Sequence, residues 1–175
     1  MSYANRGMSF ENLIEYTNKQ YERMGLAVVN KRPTPIRVTS NKRGRVTGFF
    51  EKPSTVDFDG TLVGGRSIVF EAKQVKGETR FDLKNIEKHQ VEYLEKCHHL
   101  GAVSFLLIEF ERLKTVYLLP YESLKHYWDR RQSGIRGTQS IPLGDFEVNA
   151  WEVEAGRVPV DYLPIVYKIW NLGAA

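Results

Sequence analysis

Apolar positions recur at three- and four-residue steps between residues 8 and 25, which predicts an amphipathic helix. Phe10, Leu13, Ile14, Tyr21 and Met24 share its apolar side, and Glu11, Glu15, Asn18 and Glu22 form a polar stripe. Ser9 is placed to cap the start and Gly25 to stop the end. Residues 26–30 are a short apolar strand. Pro33 and Pro35 then break any sheet ladder, so residues 33–48 read as a protruding basic segment, an extended arm. Residues 56–73 predict a β-hairpin. Val56-Asp57-Phe58 is its first arm, Asp59-Gly60 and Gly64-Gly65 supply turn chemistry, and residues 66–73 form the second arm. Residues 82–100 predict a second helix closed by Gly101. Residues 102–110 and 115–119 are strands, the first so uniformly apolar that it belongs at the centre of its sheet. A short helix over 121–129, a basic glycine-containing loop over 130–140 and an aromatic-rich tail over 159–170 follow, with Pro164 arguing against one unbroken tail helix. The pattern describes an α/β sandwich in which helices cover a mixed central sheet.

Composition narrows the class. At 175 residues the chain is one domain's worth, and 42% hydrophobic content excludes wholesale disorder. A lone Cys97 excludes an internal disulfide framework and a Cys-rich zinc site. The longest apolar run, residues 105–108, is far short of the roughly 20 residues a bilayer needs, and residues 1–9 lack a signal-peptide core. The chain is expected to be soluble, cytoplasmic and free of membrane contact.

Charge is unevenly spread. Residues 1–50 carry nine Lys/Arg against three Asp/Glu, while residues 51–175 carry sixteen against eighteen. Between Leu26 and Phe50 there is no acid, and Lys31, Arg32, Arg37, Lys42, Arg43 and Arg45 are all basic. Such a local positive field suits a polyanion, although a solvated loop has the same composition.

The chemistry centres on Ile68-Val69-Phe70-Glu71-Ala72-Lys73. On a strand, Ile68, Phe70 and Ala72 face one way and Glu71 and Lys73 the other, roughly 6–7 Å apart. Taken alone, Glu-x-Lys is a surface ion pair. Asp57, fourteen residues earlier on the other hairpin arm, can bring a second carboxylate beside Glu71. Converging carboxylates call for a cation, and oxygen ligands favour Mg²⁺, with Mn²⁺ as an alternative. Glu11 is either a third ligand or a partner of the helix dipole. Gln90, on the inward side of the second helix, is either a satisfied core amide or a group that reaches the site; its neighbour His89 belongs to the surface.

A carboxylate followed by Glu-x-Lys on the next strand resembles the restriction-endonuclease-like nuclease superfamily, with Val56 where that motif often has proline. A fuller resemblance lies in Asn5-Arg6-Gly7-Met8, Lys31-Arg32-Pro33-Thr34-Pro35, Ser54-Thr55-Val56-Asp57-Phe58-Asp59-Gly60, Phe70-Glu71-Ala72-Lys73, His89-Gln90 and Tyr127-Trp128-Asp129-Arg130. These strings, in this order over residues 5–165, resemble the RecU family of Holliday-junction resolvases. The resemblance implies one restriction-endonuclease-like nuclease domain over residues 1–175, acting as a homodimeric, Mg²⁺-dependent endonuclease that cuts four-way DNA junctions symmetrically in recombination and repair. It also implies that Asp57 and Glu71 bind metal, that Lys73 sits at the attacking water, that Glu11 assists from the helix, and that residues 33–48 form a stalk entering the junction. The family usually carries a hydroxyl residue before the motif Asp, and Val56 cannot take that role. A RecA-type recombinase is a further partner, in a bacterium or a phage-infected cell; an N-terminus shorter than in cellular members points to a phage-encoded or trimmed version. The DNA-contacting set is then Arg6, Lys31, Arg32, Arg37, Lys42, Arg43, Arg45, Phe50, Arg130 and Arg131, with Arg136 extending the track. Phe50 is either a wedge at the branch point or a strand-end core aromatic. Two other readings use the same residues: a nuclease acting on other DNA, and a non-catalytic architectural or recombinase-modulating DNA binder.

Overall fold

The computed structural model describes residues 9–50 and 55–173, without the Phe50 side chain. Helix α1 (Phe10–Arg23) starts where Ser9 Oγ accepts the Asn12 N–H at 3.3 Å. It ends before Gly25, whose φ of +68° is the left-handed stop. Its six buried positions, 10, 13, 14, 17, 18 and 21, follow the helical period and include Asn18, while Met24 lies beyond the helix and is exposed. The polar stripe therefore excludes Asn18, whose Oδ1 accepts the Tyr162 hydroxyl at 2.7 Å inside the core.

A six-stranded mixed sheet runs β1 (Ala27–Lys31), β4 (Phe58–Leu62), β5 (Ser67–Val75), β7 (Val103–Phe110), β8 (Thr115–Pro120) and β10 (Trp151–Glu152) in spatial order. Only β5 and β7, among these neighbours, are parallel. Helix α2 (Lys88–His99) makes the crossover between them. As its apolar run predicted, β7 is buried at every position and central. Helix α1 and α5 (Leu163–Ile169), the latter carrying Pro164 in its first turn, cover one face. Helices α2, α3 (Tyr121–Gln132) and α4 (Leu143–Asn149) cover the other.

On the α1 side, Phe58, Phe70 and Phe105 are register partners on three adjacent strands. Their rings stack at 4.9 and 4.8 Å. The opposite side of β5 carries Val69, Glu71, Lys73 and Val75 toward α2, the alternation read from the sequence.

Three boundaries differ from the sequence reading. Asp59-Gly60 is not a turn but part of β4; the turn is Val63 to Arg66, with Gly64 and Gly65 both at φ +85°. Gly60 is required by closeness instead, since a Cβ there would lie 2.0 Å from the Val28 carbonyl oxygen. Residues 82–87 are not helical. Strand β6 (Arg80–Asp82) pairs with β9 (Ser140–Pro142), a 3₁₀ turn follows over Leu83–Asn85, and α2 begins only after Glu87. A capping box sets that start, with Glu87 and Gln90 each closing on the other's backbone. Helix α3 continues through Gln132, shortening the basic loop.

Residues 36–50 are not a featureless arm. Strands β2 (Ile36–Lys42) and β3 (Arg45–Phe50) form a separate two-stranded sheet. Arg43 (φ +51°) and Gly44 (φ +80°) make the two-residue turn, whose two positive φ angles match the twist of the strands. The register places Ile36, Val38 and Val46 on one face, each more than half exposed, and Arg37, Lys42 and Arg45 on the other. A bulge at Thr39 preserves this division.

Replacing Phe70 by Ala removes the middle ring of the stack and should destabilise the fold by about 3–5 kcal/mol. Urea denaturation monitored by tryptophan fluorescence measures this, and a loss below 1 kcal/mol would show that the stack carries little of the core.

Candidate active site

Asp57 precedes β4, and its carbonyl oxygen accepts the Arg32 N–H at 2.7 Å, continuing the β1–β4 ladder by one bond. Glu71 lies mid-way along β5 on the α2 side. The two acids are bound reciprocally. Asp57 N–H donates to Glu71 Oε2 at 2.9 Å, and Ala72 N–H donates to Asp57 Oδ2 at 3.1 Å. Local hairpin geometry thus aligns both carboxylates before any longer-range contact is needed.

Two further side chains hold Glu71. Lys73 Nζ is 2.8 Å from Oε1, and Gln90 Nε2 donates to the same oxygen at 2.5 Å. Gln90 uses its own oxygen to accept the Glu87 N–H at 2.9 Å, so the capping box of α2 also orients the site. The amide is therefore a group that reaches the site, one of the two alternatives left open by its position on the helix.

Glu71 is only 1% exposed. Burial pushes its pKa up to about 7; Lys73 opposes the rise, and the Asp57 charge adds to it. A buried carboxylate raised in this way, beside a second acid and a lysine, is short of positive charge. Among the described residues no three His, Cys, Asp or Glu side chains gather as a metal-holding group. Asp57 and Glu71 offer two hard oxygen donors, which fits Mg²⁺, an ion held by one or two carboxylates with its other positions left to water and substrate.

Glu11 is not brought into that group. It projects from α1, on the opposite face of the sheet, and pairs with Lys31 Nζ at 2.6 Å; the same Nζ lies 3.5 Å from Glu15 Oε1. Lys31 is correspondingly engaged by two acids. Arg32, one residue on, turns toward α2 and donates to the Tyr93 hydroxyl at 2.8 Å. Arg37, Lys42, Arg43 and Arg45 lie exposed on the hairpin. Arg131 is used inside the fold, stacking 4.9 Å over Trp128 and donating to the Leu83 carbonyl at 2.7 Å. Arg130 is exposed near the end of α3. Arg6 and the Phe50 side chain lie outside the described residues, as do Asn5 to Met8 and Ser54.

Two residues at this site went unread in the sequence. Asp59 was assigned to a turn, although Asp57-x-Asp59 has the two-residue period that puts both on one strand face. Tyr93 lies three residues after Gln90, hence on the same side of α2, and that spacing was the available signal.

Residues 5–168 match the family described as RecU, recombination protein U. The Holliday junction resolvase RecU of Staphylococcus saprophyticus subsp. saprophyticus is 37% identical over 176 residues, covering 97% of this chain and 83% of that protein. The protein of the same name from a Geobacillus species is 35% identical over 97% of this chain and 86% of its own length. Among solved structures, the Holliday junction resolvase Hjc of Archaeoglobus fulgidus superposes with a TM-score of 0.38 at 12% identity, over 63% of this chain and 76% of the other. No helix among the described residues is long and apolar enough to cross a membrane. With the family pattern running from residue 5 to residue 168 and curated relatives aligned over nearly the whole chain, this protein belongs to the RecU family.

Proposed function

We propose that this protein is a Mg²⁺-dependent endonuclease that resolves four-way DNA junctions during recombination and repair, working in the cytoplasm of a bacterium or a phage-infected cell. The observation that carries the reading is the Asp57–Glu71 pair, held by backbone N–H groups and flanked by Lys73 and Gln90. The names of its relatives supply the branched substrate.

A divalent cation at the acid pair supplies charge that polarises a phosphoryl oxygen and favours ionisation of an attacking water. The chain's own groups do the rest. Asp57 and Glu71 are fixed before substrate arrives, so little reorganisation is needed on binding. Lys73, a compact ammonium with only 19% of its side chain exposed, stands beside the Glu71 carboxylate to offset charge developing on the phosphate. Gln90 keeps Glu71 from rotating away.

Symmetric resolution needs two cuts, which an isologous dimer delivers. The hairpin fits both parts of that arrangement. Its face of Ile36, Val38 and Val46, which also carries Asn41, is mainly apolar and more than half exposed, suiting a second copy, while Arg37, Lys42 and Arg45, which share the other face with Phe49, suit phosphates. A RecA-type recombinase is the protein partner this reading expects.

Asp57→Ala should abolish Mg²⁺-dependent cleavage of a four-way junction while leaving junction binding within about threefold. A variant cutting at the parental rate would remove Asp57 from the site, and a parental protein that binds but never cuts would favour the architectural alternative.

A proton competes with the cation for Glu71. Its folded pKa of about 7 exceeds its ordinary value of 4.5, so this group's contribution to metal-free stability is fully present below about 4.5 and is lost as pH rises through about 7. Mg²⁺ reverses that loss. Its affinity should rise by up to about tenfold per pH unit below 7 and level off above it. Titration calorimetry from pH 5.5 to 8.5 tests this, and a flat profile would exclude Glu71 as the competing group.

Replacing residues 36–50 by a short Gly-Ser link should leave the melting temperature within a few degrees but erase the preference for a junction over linear duplex. Unchanged discrimination in competition binding would assign junction recognition elsewhere.

A further inference from the structure

Arg32 occupies a junction between three parts of the molecule. Its N–H is bonded to the Asp57 carbonyl oxygen at 2.7 Å, which ties its backbone to the acid pair. The guanidinium reaches away from α1 and toward α2, where Nη1 donates to the Tyr93 hydroxyl at 2.8 Å and lies 3.6 Å from Asp59 Oδ2. The guanidinium carbon sits 5.4 Å from the centre of the Tyr93 ring. Tyr93 and Asp59, the two contacts of the guanidinium, both line an open groove of about 770 Å³ between α2 and the strands β1, β4 and β5. Asp57 and Glu71 belong to the same side of the sheet, and the Arg32 backbone bond to Asp57 is the link between the guanidinium and the acid pair.

Resting on the nuclease reading above, we propose that Tyr93 and Asp59 are positioning residues. They hold the Arg32 guanidinium so that its remaining donors grip a DNA phosphate next to the one being cut. Three observations support a clamp over a brace. The Arg32 side chain is 34% exposed, open to a ligand. The Asp59 contact is long and half-exposed, the type of ion pair that contributes little to stability and that a phosphate can displace. The hydroxyl and ring of Tyr93 fix one edge of a planar fork with five N–H donors, leaving the rest to an oxyanion. Lys31, one residue earlier, is held by Glu11 and Glu15 on the other side of the sheet, so the adjacent cations have separate tasks.

The experiment measures binding of a synthetic four-way junction in Ca²⁺ across a salt series, and cleavage in Mg²⁺, for Arg32→Ala, Tyr93→Phe, Tyr93→Leu and the Arg32→Ala/Tyr93→Leu double variant. Arg32→Ala should weaken binding about tenfold and reduce the slope of log affinity against log salt by about one. Tyr93→Leu should reproduce most of that loss through KM with kcat little changed, and Tyr93→Phe, which keeps the ring but not the hydroxyl, should fall between. The double variant should be no worse than Arg32→Ala alone. Additive losses would overturn the proposal. So would a Tyr93→Leu variant with a lower melting temperature but an unchanged salt slope and KM, which is the behaviour of a brace. If the wild-type protein does not cut in Mg²⁺ while the variants still show these losses of affinity and salt slope, the nuclease reading fails and Arg32 remains a phosphate contact held by Tyr93.

Discussion

Two like-charged carboxylates are held side by side against a buried sheet face, and the surrounding structure is organised around that constraint. Left alone, the arrangement is unfavourable, because Glu71 is almost wholly removed from water and feels the Asp57 charge as well. The neighbouring groups offset it in part. Glu71 accepts the Asp57 N–H and Asp57 accepts the Ala72 N–H, Lys73 supplies a cation two residues along β5, and Gln90 donates from the start of α2. The remaining shortfall of positive charge is what a divalent ion would fill. The acid pair is thus a fixed arrangement whose unfavourable electrostatics a bound cation would relieve.

The supporting fold explains how this is maintained. The stack of Phe58, Phe70 and Phe105 lies on the face of the sheet opposite to Glu71 and Lys73. Alternation along β5 therefore puts the ring and the acid on adjacent residues facing apart, so the packing that anchors the strand also fixes the direction of the carboxylate. The parallel β5–β7 pairing demands a crossover, and that crossover is α2, the helix that delivers Gln90 and Tyr93. Topology and chemistry meet in one element.

Much of this was legible in the sequence, and for identifiable reasons. Period-two alternation placed Glu71 and Lys73 on one face, and the fourteen-residue gap placed Asp57 beside them. Helical spacing turned Gln90 inward, and the uniform apolar run of β7 marked the sheet centre. What escaped depended on contacts distant in sequence or on competing local signals. Asp59-Gly60 has the composition of a turn, and only the close approach of Val28 shows why the glycine belongs in a strand. Residues 82–87 have a pattern compatible with a helix, yet β6 pairs with β9 through Asp82, a 3₁₀ turn takes Leu83–Asn85, and the capping box at Glu87 delays the α-helix to Lys88. Strand β9, helix α4 and strand β10 are too short to show a period. For Glu11 the sequence left a third ligand and a helix-dipole partner both open, because a first-turn acid has few local constraints; its pairing with Lys31 on the neighbouring strand depends on a contact twenty residues away.

The bond from the Arg32 N–H to the Asp57 carbonyl oxygen has a mechanical meaning. Between that bond and the first residue of the exposed hairpin stand Pro33, Thr34 and Pro35, and two of these three have φ fixed by a ring. Such a short, stiff strut passes on a push better than it absorbs one. The exposed hairpin is thereby joined to the backbone of Asp57 through about four residues of chain, two of them prolines.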